Sequence, residues 1–265
     1  MIRELLSDRF TPVEVMRTLR AASRHCYLLE SAEDNKRWGR YSFLGCSPTL
    51  ELTCRNGILR IRSGEDEDLR EEMVSETTHP GEAIRDILAR YKSPKIDGLP
   101  PFTGGLVGYF SYDYIKYAEP SLSMGELAHD DFCDVDLMLF DRIFIFDHDK
   151  QKLLLTAGVE TDRLEESYTE AVQKLDEMEA LLNSGAKAVF KPLKLKGPLT
   201  PAFSRGEYCR MVEKAKHAIR EGDILQAVLS DPLPAPAEGS LCDTYRVLRT
   251  TNPSPYMFYF SSDDV

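Results

Sequence analysis

Residues 50–62 read LELTCRNGILRIR. Leu50, Leu52 and Cys54 alternate with Glu51 and Thr53, and after Arg55-Asn56-Gly57 the alternation resumes, with Leu59 and Ile61 set against Arg60 and Arg62. Alternation of period two puts the apolar side chains on one face of a strand. Asn-Gly between two such runs supplies the left-handed backbone that a tight hairpin turn needs. The stretch therefore predicts an antiparallel hairpin with one buried face.

The neighbouring sequence adds more strands and several capped helices. Cys26–Glu30 and residues 40–44 are short strand-like runs. Residues 102–112 (FTGGLVGYFSY) mix glycine with aromatics, as in a strand that another backbone approaches closely. Strands are expected at 135–147 and 152–156, around the turn His148-Asp149-Lys150. The acidic run from Glu65 to Glu72 reads as a solvated loop. Thr11-Pro12-Val13-Glu14 starts a helix, with Thr11 and Glu14 as a capping box and Met16, Leu19 and Ala22 as its apolar stripe. A short helix presents Ile84, Ile87, Leu88 and Tyr91. A long one from about Asp162 to Asn183 buries Leu164, Ala171, Leu175, Met178 and Leu182 and stops at Gly185.

Residues 186–201 (AKAVFKPLKLKGPLTP) carry lysines and prolines and no acid, which marks a linker. Beyond it, Ser204 and Glu207 form another capping box. That helix turns Tyr208, Met211, Val212, Ala215 and Ile219 inward and ends near Gly222. A strand at 224–229, a helix at about 241–250 and a strand at 256–260 follow. The fold class is α+β. Three regions are expected: an N-terminal region 1–185, the linker 186–201, and the start of a second domain at 202–265.

The chain has 265 residues and a net charge of −11. That balance argues against nucleic acid and against anionic membranes, which recruit surplus Lys and Arg. No run approaches the roughly 20 apolar residues of a membrane span, and the start Met1-Ile2-Arg3-Glu4 is unlike a secretory signal. A cytoplasmic protein is expected. Six cysteines are scattered without a CxxC pair, and five histidines form no HxxxH or HxH pair, so no dedicated zinc site is expected. The GxSxG, GxxxxGK[ST] and GxGxxG signatures are absent. GGLVG at 104–108 has the wrong spacing for a dinucleotide site.

Four strings in sequence order carry a resemblance: LLES at 28–31, RYSFLGCSP at 40–48, EGDILQAVLS at 221–230 and NPSPYMFYF at 252–260. On these the chain resembles the N-terminal part of the anthranilate synthase large subunits, among the chorismate-using enzymes. Ala227-Val228 and Tyr256-Met257-Phe258 favour that branch over the aminodeoxychorismate synthases, which stay as an alternative. The isochorismate and salicylate branches use a water-activating lysine where this chain has Gln226. A neutral glutamine cannot be that base, which fits ammonia as nucleophile. One departure is Asp231-Pro232, where the family commonly has a Gln-Arg or Arg-Arg pair.

The resemblance implies a fold of two orthogonally packed antiparallel sheets with outer helices, incomplete here at the C-terminus. It implies conversion of chorismate and ammonia to anthranilate and pyruvate, with ammonia delivered by a glutamine amidotransferase partner. Gln226 would lie at the catalytic site. The Mg²⁺ ligands of the family fall in the region this chain lacks, so the chain alone is expected to be inactive. The resemblance also implies feedback inhibition by tryptophan, bound between Glu30-Ser31 and Pro255-Tyr256-Met257. Glu30 would pair with the amino acid's ammonium, Ser31 would hydrogen-bond, and the 255–257 segment would hold the indole. The alternative is a non-catalytic tryptophan-binding module. If 256–260 were merely a core strand, Phe258 and Phe260 would be its buried residues.

Overall fold

The computed structural model describes residues 1–30, 39–64, 68–119, 121 and 132–265. It divides into two compact units, Met1–Val189 with Arg246–Val265, and Phe190–Tyr245.

The first unit holds two antiparallel sheets. One has six strands: β1 (Ile2–Leu6), β2 (Cys26–Glu30), β3 (Tyr41–Cys46), β9 (Arg142–Asp147), β10 (Lys152–Ala157) and β13 (Met257–Ser261), in the order β1-β10-β9-β3-β2-β13. The other has five: β4 (Leu50–Arg55), β5 (Ile58–Ser63), β6 (Arg70–Glu76), β7 (Gly105–Phe110) and β8 (Val135–Phe140), in the order β6-β5-β4-β8-β7. The hairpin forms as read: Asn56 and Gly57 have φ of 50° and 80°, the pair of left-handed residues that a type I′ turn requires. Its tip is fastened by Asp134 and by Tyr117 of the short helix α3 (Ile115–Ala118). Asp134 accepts from the Asn56 amide and from the Tyr117 hydroxyl, while the Gly57 amide donates to that hydroxyl.

The expected single strand 135–147 is two strands. It breaks at Asp141, and its halves enter different sheets. Such a corner is how orthogonally packed sheets share a chain. On one face of the five-stranded sheet, Leu50, Leu52, Leu59, Ile61, Leu137 and Leu139 cluster under helix α2 (Pro80–Arg90). Between the sheets lie Tyr27, Val107, Met138, Phe140, Ile143, Ile145 and Leu154. Helices α1 (Pro12–Ala22) and α4 (Leu164–Asn183) pack on the six-stranded sheet.

Several local expectations need correction. Residues 70–72 belong to edge strand β6 rather than to a loop, and residues 65–67 lie outside the described residues. In α2 only Ile87 of the expected stripe is fully buried, because the helix rests on Ala83, Ile84 and Ile87 and leaves Leu88 and Tyr91 exposed. Leu164 is exposed as well, at the first turn of α4. Thr11 caps α1 by accepting from the Glu14 amide. The Glu14 carboxylate turns instead to Arg17 and Lys187.

The second unit contains β11 (Lys194–Leu195), α5 (Arg205–Glu221) and β12 (Ala237–Glu238), with β11 and β12 paired. Helix α6 (Cys242–Thr251) begins in this unit's range and ends in the first. Ser204 and Glu207 make the full capping box, and Gly222 ends α5 at φ 85°. The expected stripe is only half-buried, and Ile219 is exposed. Part of the expected linker is tied down: the amides of Lys196, Thr200 and Ala202 donate to the carbonyls of Pro236, Pro234 and Pro232. The expected strand at 224–229 does not form, and the segment lies outside any sheet.

Gly108 shows why residues 102–112 need glycine. A Cβ there would overlap the Asp136 carbonyl in the paired strand. Backbone cannot yield as a side chain can, so Gly108→Ala is expected to lower stability by about 2 kcal/mol or more. Urea unfolding checks this, and an unchanged midpoint would contradict the close approach.

Candidate functional site

Glu30 ends β2 between two partners in register, Met257 of β13 and Ser42 of β3. Cross-strand partners project to the same face, so Glu30, Ser42 and Met257 share one patch of the six-stranded sheet. Glu30 and Met257 are both buried. A buried carboxylate needs a cation and hydrogen bonds. Arg249 of α6 supplies both, its Nε and Nη2 each donating at 2.8 Å to one Glu30 oxygen. Beside this pair, Ser42 Oγ and His148 Nε2 are 2.8 Å apart, and the imidazole stacks on Phe146. Burial pushes the His148 pKa below the ordinary histidine value, against the opposing pull of Glu30 and Asp147.

The sequence-predicted ligand residues are thus partly brought together. Glu30 and Met257 are neighbours. Pro255 is half-buried, while Tyr256 is 70% exposed. Ser31 lies outside the described residues. Phe258 is also 70% exposed, while Phe260 is half-buried against the core between the sheets, so the core-strand expectation fails for Phe258 and holds in part for Phe260. Sequence reading missed Arg249 and His148. The usable signal for Arg249 was the acid itself, since a glutamate ending an apolar run such as CYLLE demands a cation from elsewhere.

Gln226 is exposed, next to a Leu225 that is 97% exposed. The Asp231 that departs from the family string acts locally, its carboxylate accepting from the amides of Ala202 and Phe203 just before α5. Among the described residues, the one grouping of His, Cys, Asp or Glu side chains close enough to share an ion is His25, Glu51 and Asp263, in the first unit. That grouping does not include Gln226, and no step is derived through the Mg²⁺ ion that the resemblance implies.

Residues 59–265 match the family model described as chorismate binding enzyme. The chain belongs to that family. It is 32% identical over 268 residues to anthranilate synthase component 1 of Acetivibrio thermocellus, covering 97% of this chain and 52% of the relative. With the Acinetobacter calcoaceticus protein of the same name it shares 35% identity over 261 residues, covering 97% and 51%. The crystal structure of anthranilate synthase component I from Streptococcus pneumoniae TIGR4 superimposes with a TM-score of 0.54 at 27% identity, covering 81% of this chain and 46% of that one. The chain thus spans about half the length of the curated relatives it matches, their N-terminal part.

The Glu30–Arg249 pair sets a direct test. Arg249→Met removes the guanidinium from the buried Glu30 carboxylate, which is expected to cost about 3–5 kcal/mol. Adding Glu30→Gln to that variant should recover most of the loss. A single Arg249→Met variant as stable as the parent in urea would contradict the pairing.

Proposed function

We propose that this chain is the N-terminal part of an anthranilate synthase large subunit, and that the patch around Glu30 and Met257 is its tryptophan-binding regulatory site. The observation that carries the reading is the register of β13 on β2, which puts Met257 opposite Glu30 although they are more than two hundred residues apart in sequence. One face then offers a carboxylate for an ammonium and an apolar wall for an indole. Arg249 holds the carboxylate in the meantime, so a bound amino acid exchanges its own ammonium for the guanidinium. Ser31 would add a hydrogen bond.

In the same reading the complete enzyme converts chorismate and ammonia to anthranilate and pyruvate, with a glutamine amidotransferase as the ammonia source. Gln226 would face the reacting ring as a neutral amide. It takes no proton from water, so ammonia rather than hydroxide adds. The Mg²⁺ that the resemblance implies would be held by residues of the complete enzyme other than those in this chain. Residues 202–265 would begin the catalytic domain, after the linker 186–201. No helix among the described residues is long and apolar enough to cross a membrane, and a cytoplasmic site of action is part of the proposal.

A second reading, a tryptophan-binding module without catalysis, is favoured by the exposure of Gln226 and its neighbours. Two assays test these readings. Anthranilate fluorescence with chorismate, ammonium and Mg²⁺ is expected to stay at background for this chain alone, and signal above it would contradict the expected inactivity. Calorimetry with tryptophan should show one saturable site. Met257→Thr should weaken it by about 1.5–3 kcal/mol through lost apolar contact. Absence of binding would remove the regulatory site from either reading.

A further inference from the structure

The segment after β13 leaves the six-stranded sheet and bonds to the five-stranded one through three successive residues. Ser262 Oγ donates to Asp136 Oδ2 at 2.6 Å. Asp263 lies 3.0 Å from His25 Nε2 and 3.1 Å from Arg62 Nη2, with Arg24 at 3.6 Å. Asp264 accepts from the Tyr109 hydroxyl and, at 2.9 Å, from the Cys133 amide. Glu51, paired in register with Arg62, completes the group and binds its guanidinium. Strand alternation explains the gathering: Glu51 and Arg62 point away from the face where Leu50, Leu52 and Ile61 meet α2.

Four carboxyl groups, those of Glu51, Asp136, Asp263 and Asp264, face one Arg62 guanidinium, the His25 imidazole and the more exposed Arg24. Glu51 is 1% exposed and Asp136 0%. Each keeps one buried carboxylate oxygen, Glu51 Oε1 and Asp136 Oδ1, without a hydrogen-bond partner. A buried acceptor left in that state keeps its full desolvation penalty, and a charged one most of all. Burial, with the nearby Glu51 and Asp264 charges adding and the Ser262 hydroxyl opposing, pushes Asp136 up to about 7.

One ligand atom each from His25, Glu51 and Asp263 lie within 4.8 Å of one another. We propose that His25, Glu51 and Asp263 form a site for a divalent transition-metal cation, with the ion and the Arg62 guanidinium as alternative occupants. An imidazole nitrogen with carboxylate oxygens suits Zn²⁺, Co²⁺ or Mn²⁺ better than the all-oxygen sets of Ca²⁺ and Mg²⁺. Arg62 already bridges Glu51 and Asp263, so this is a position where the fold places positive charge. Bonds of about 2.0–2.2 Å require the donors to draw together, which small side-chain rotations provide once the partly exposed Arg62 swings outward. Asp263, 39% exposed, leaves a way in from solvent. The three donors come from the residue before β2, from β4 and from the residues after β13, so the ion would cross-link both sheets. Their separation in sequence is why no histidine spacing announced them.

Titration of the chain with Co²⁺ near neutral pH, followed by visible absorption and calorimetry, tests the site. One ion per chain is expected, displaced by Zn²⁺, with a higher melting temperature because the ligand binds the folded state and without near-ultraviolet thiolate bands. Asp263→Asn and His25→Gln should each weaken binding by roughly tenfold or more, and Arg62→Gln should tighten it by about tenfold. Near-ultraviolet circular dichroism confirms that each variant is folded, and Asp263 is exposed enough for its variant to fold. Absence of saturable binding, parental affinity in a folded Asp263→Asn variant, or thiolate bands would overturn the proposal.

Discussion

The architecture of the first unit turns on a single residue. Asp141 alone separates β8, in the five-stranded sheet, from β9, in the six-stranded one. A strand that changes sheets within one residue forces the two sheets to share a corner, and the inner faces near that corner have to fit closely. The fit is visible in the side chains chosen there. Tyr27 crosses Phe140 edge to face, with ring centroids 4.7 Å apart, and Gly45 leaves room for the Tyr27 ring. Lys174 of α4 holds the Asp141 carboxylate at 2.8 Å, which ties the outer helix to the corner.

Strand β13 depends on that frame and adjoins both proposed sites. It closes the edge of the six-stranded sheet against β2. At its start, Met257 lies beside Glu30 and the Arg249 ion pair. After its end, residues 262–264 reach the acidic cluster on the other sheet. Glu30 in one place and Glu51 with Asp136 in the other are buried acids: Arg249 meets Glu30 from far along the chain, Arg62 meets Glu51 from the next strand of its own hairpin, and the His25 charge acts on Asp136. A ligand that displaces either arginine changes how β13 is anchored, and β13 is where the two proposed sites meet.

Much of this was legible in the sequence. The hairpin at 50–62 was, because alternation and Asn-Gly are local signals that the fold did not override. So were the caps of α1 and α5, which depend on residues three apart. The break at Asp141 was not: mostly apolar runs lie on both sides of Asp141-Arg142, and they read the same whether one sheet receives them or two. The strand at 224–229 failed for the opposite reason. Its residues have strand character, but no partner strand among the described residues hydrogen-bonds to them. At the candidate site, Glu30 and Met257 came from the resemblance and do adjoin. Glu30 signalled that a cation must come from elsewhere, but not that it would be Arg249; His148 and the place of Asp263 beside His25 and Glu51 were equally hidden, since contacts spanning more than a hundred residues leave no local pattern.

If the pairing of β13 with β2 makes Glu30 and Met257 one amino-acid site, the Met257 methyl group feels the ligand first. Its resonance, assigned among the 8 methionines by substitution, is the most direct reporter. On titration with tryptophan it is expected to shift and saturate through the indole ring current, and Glu30→Gln should remove the shift. A Met257 methyl that stays unmoved at saturating tryptophan would contradict the shared site.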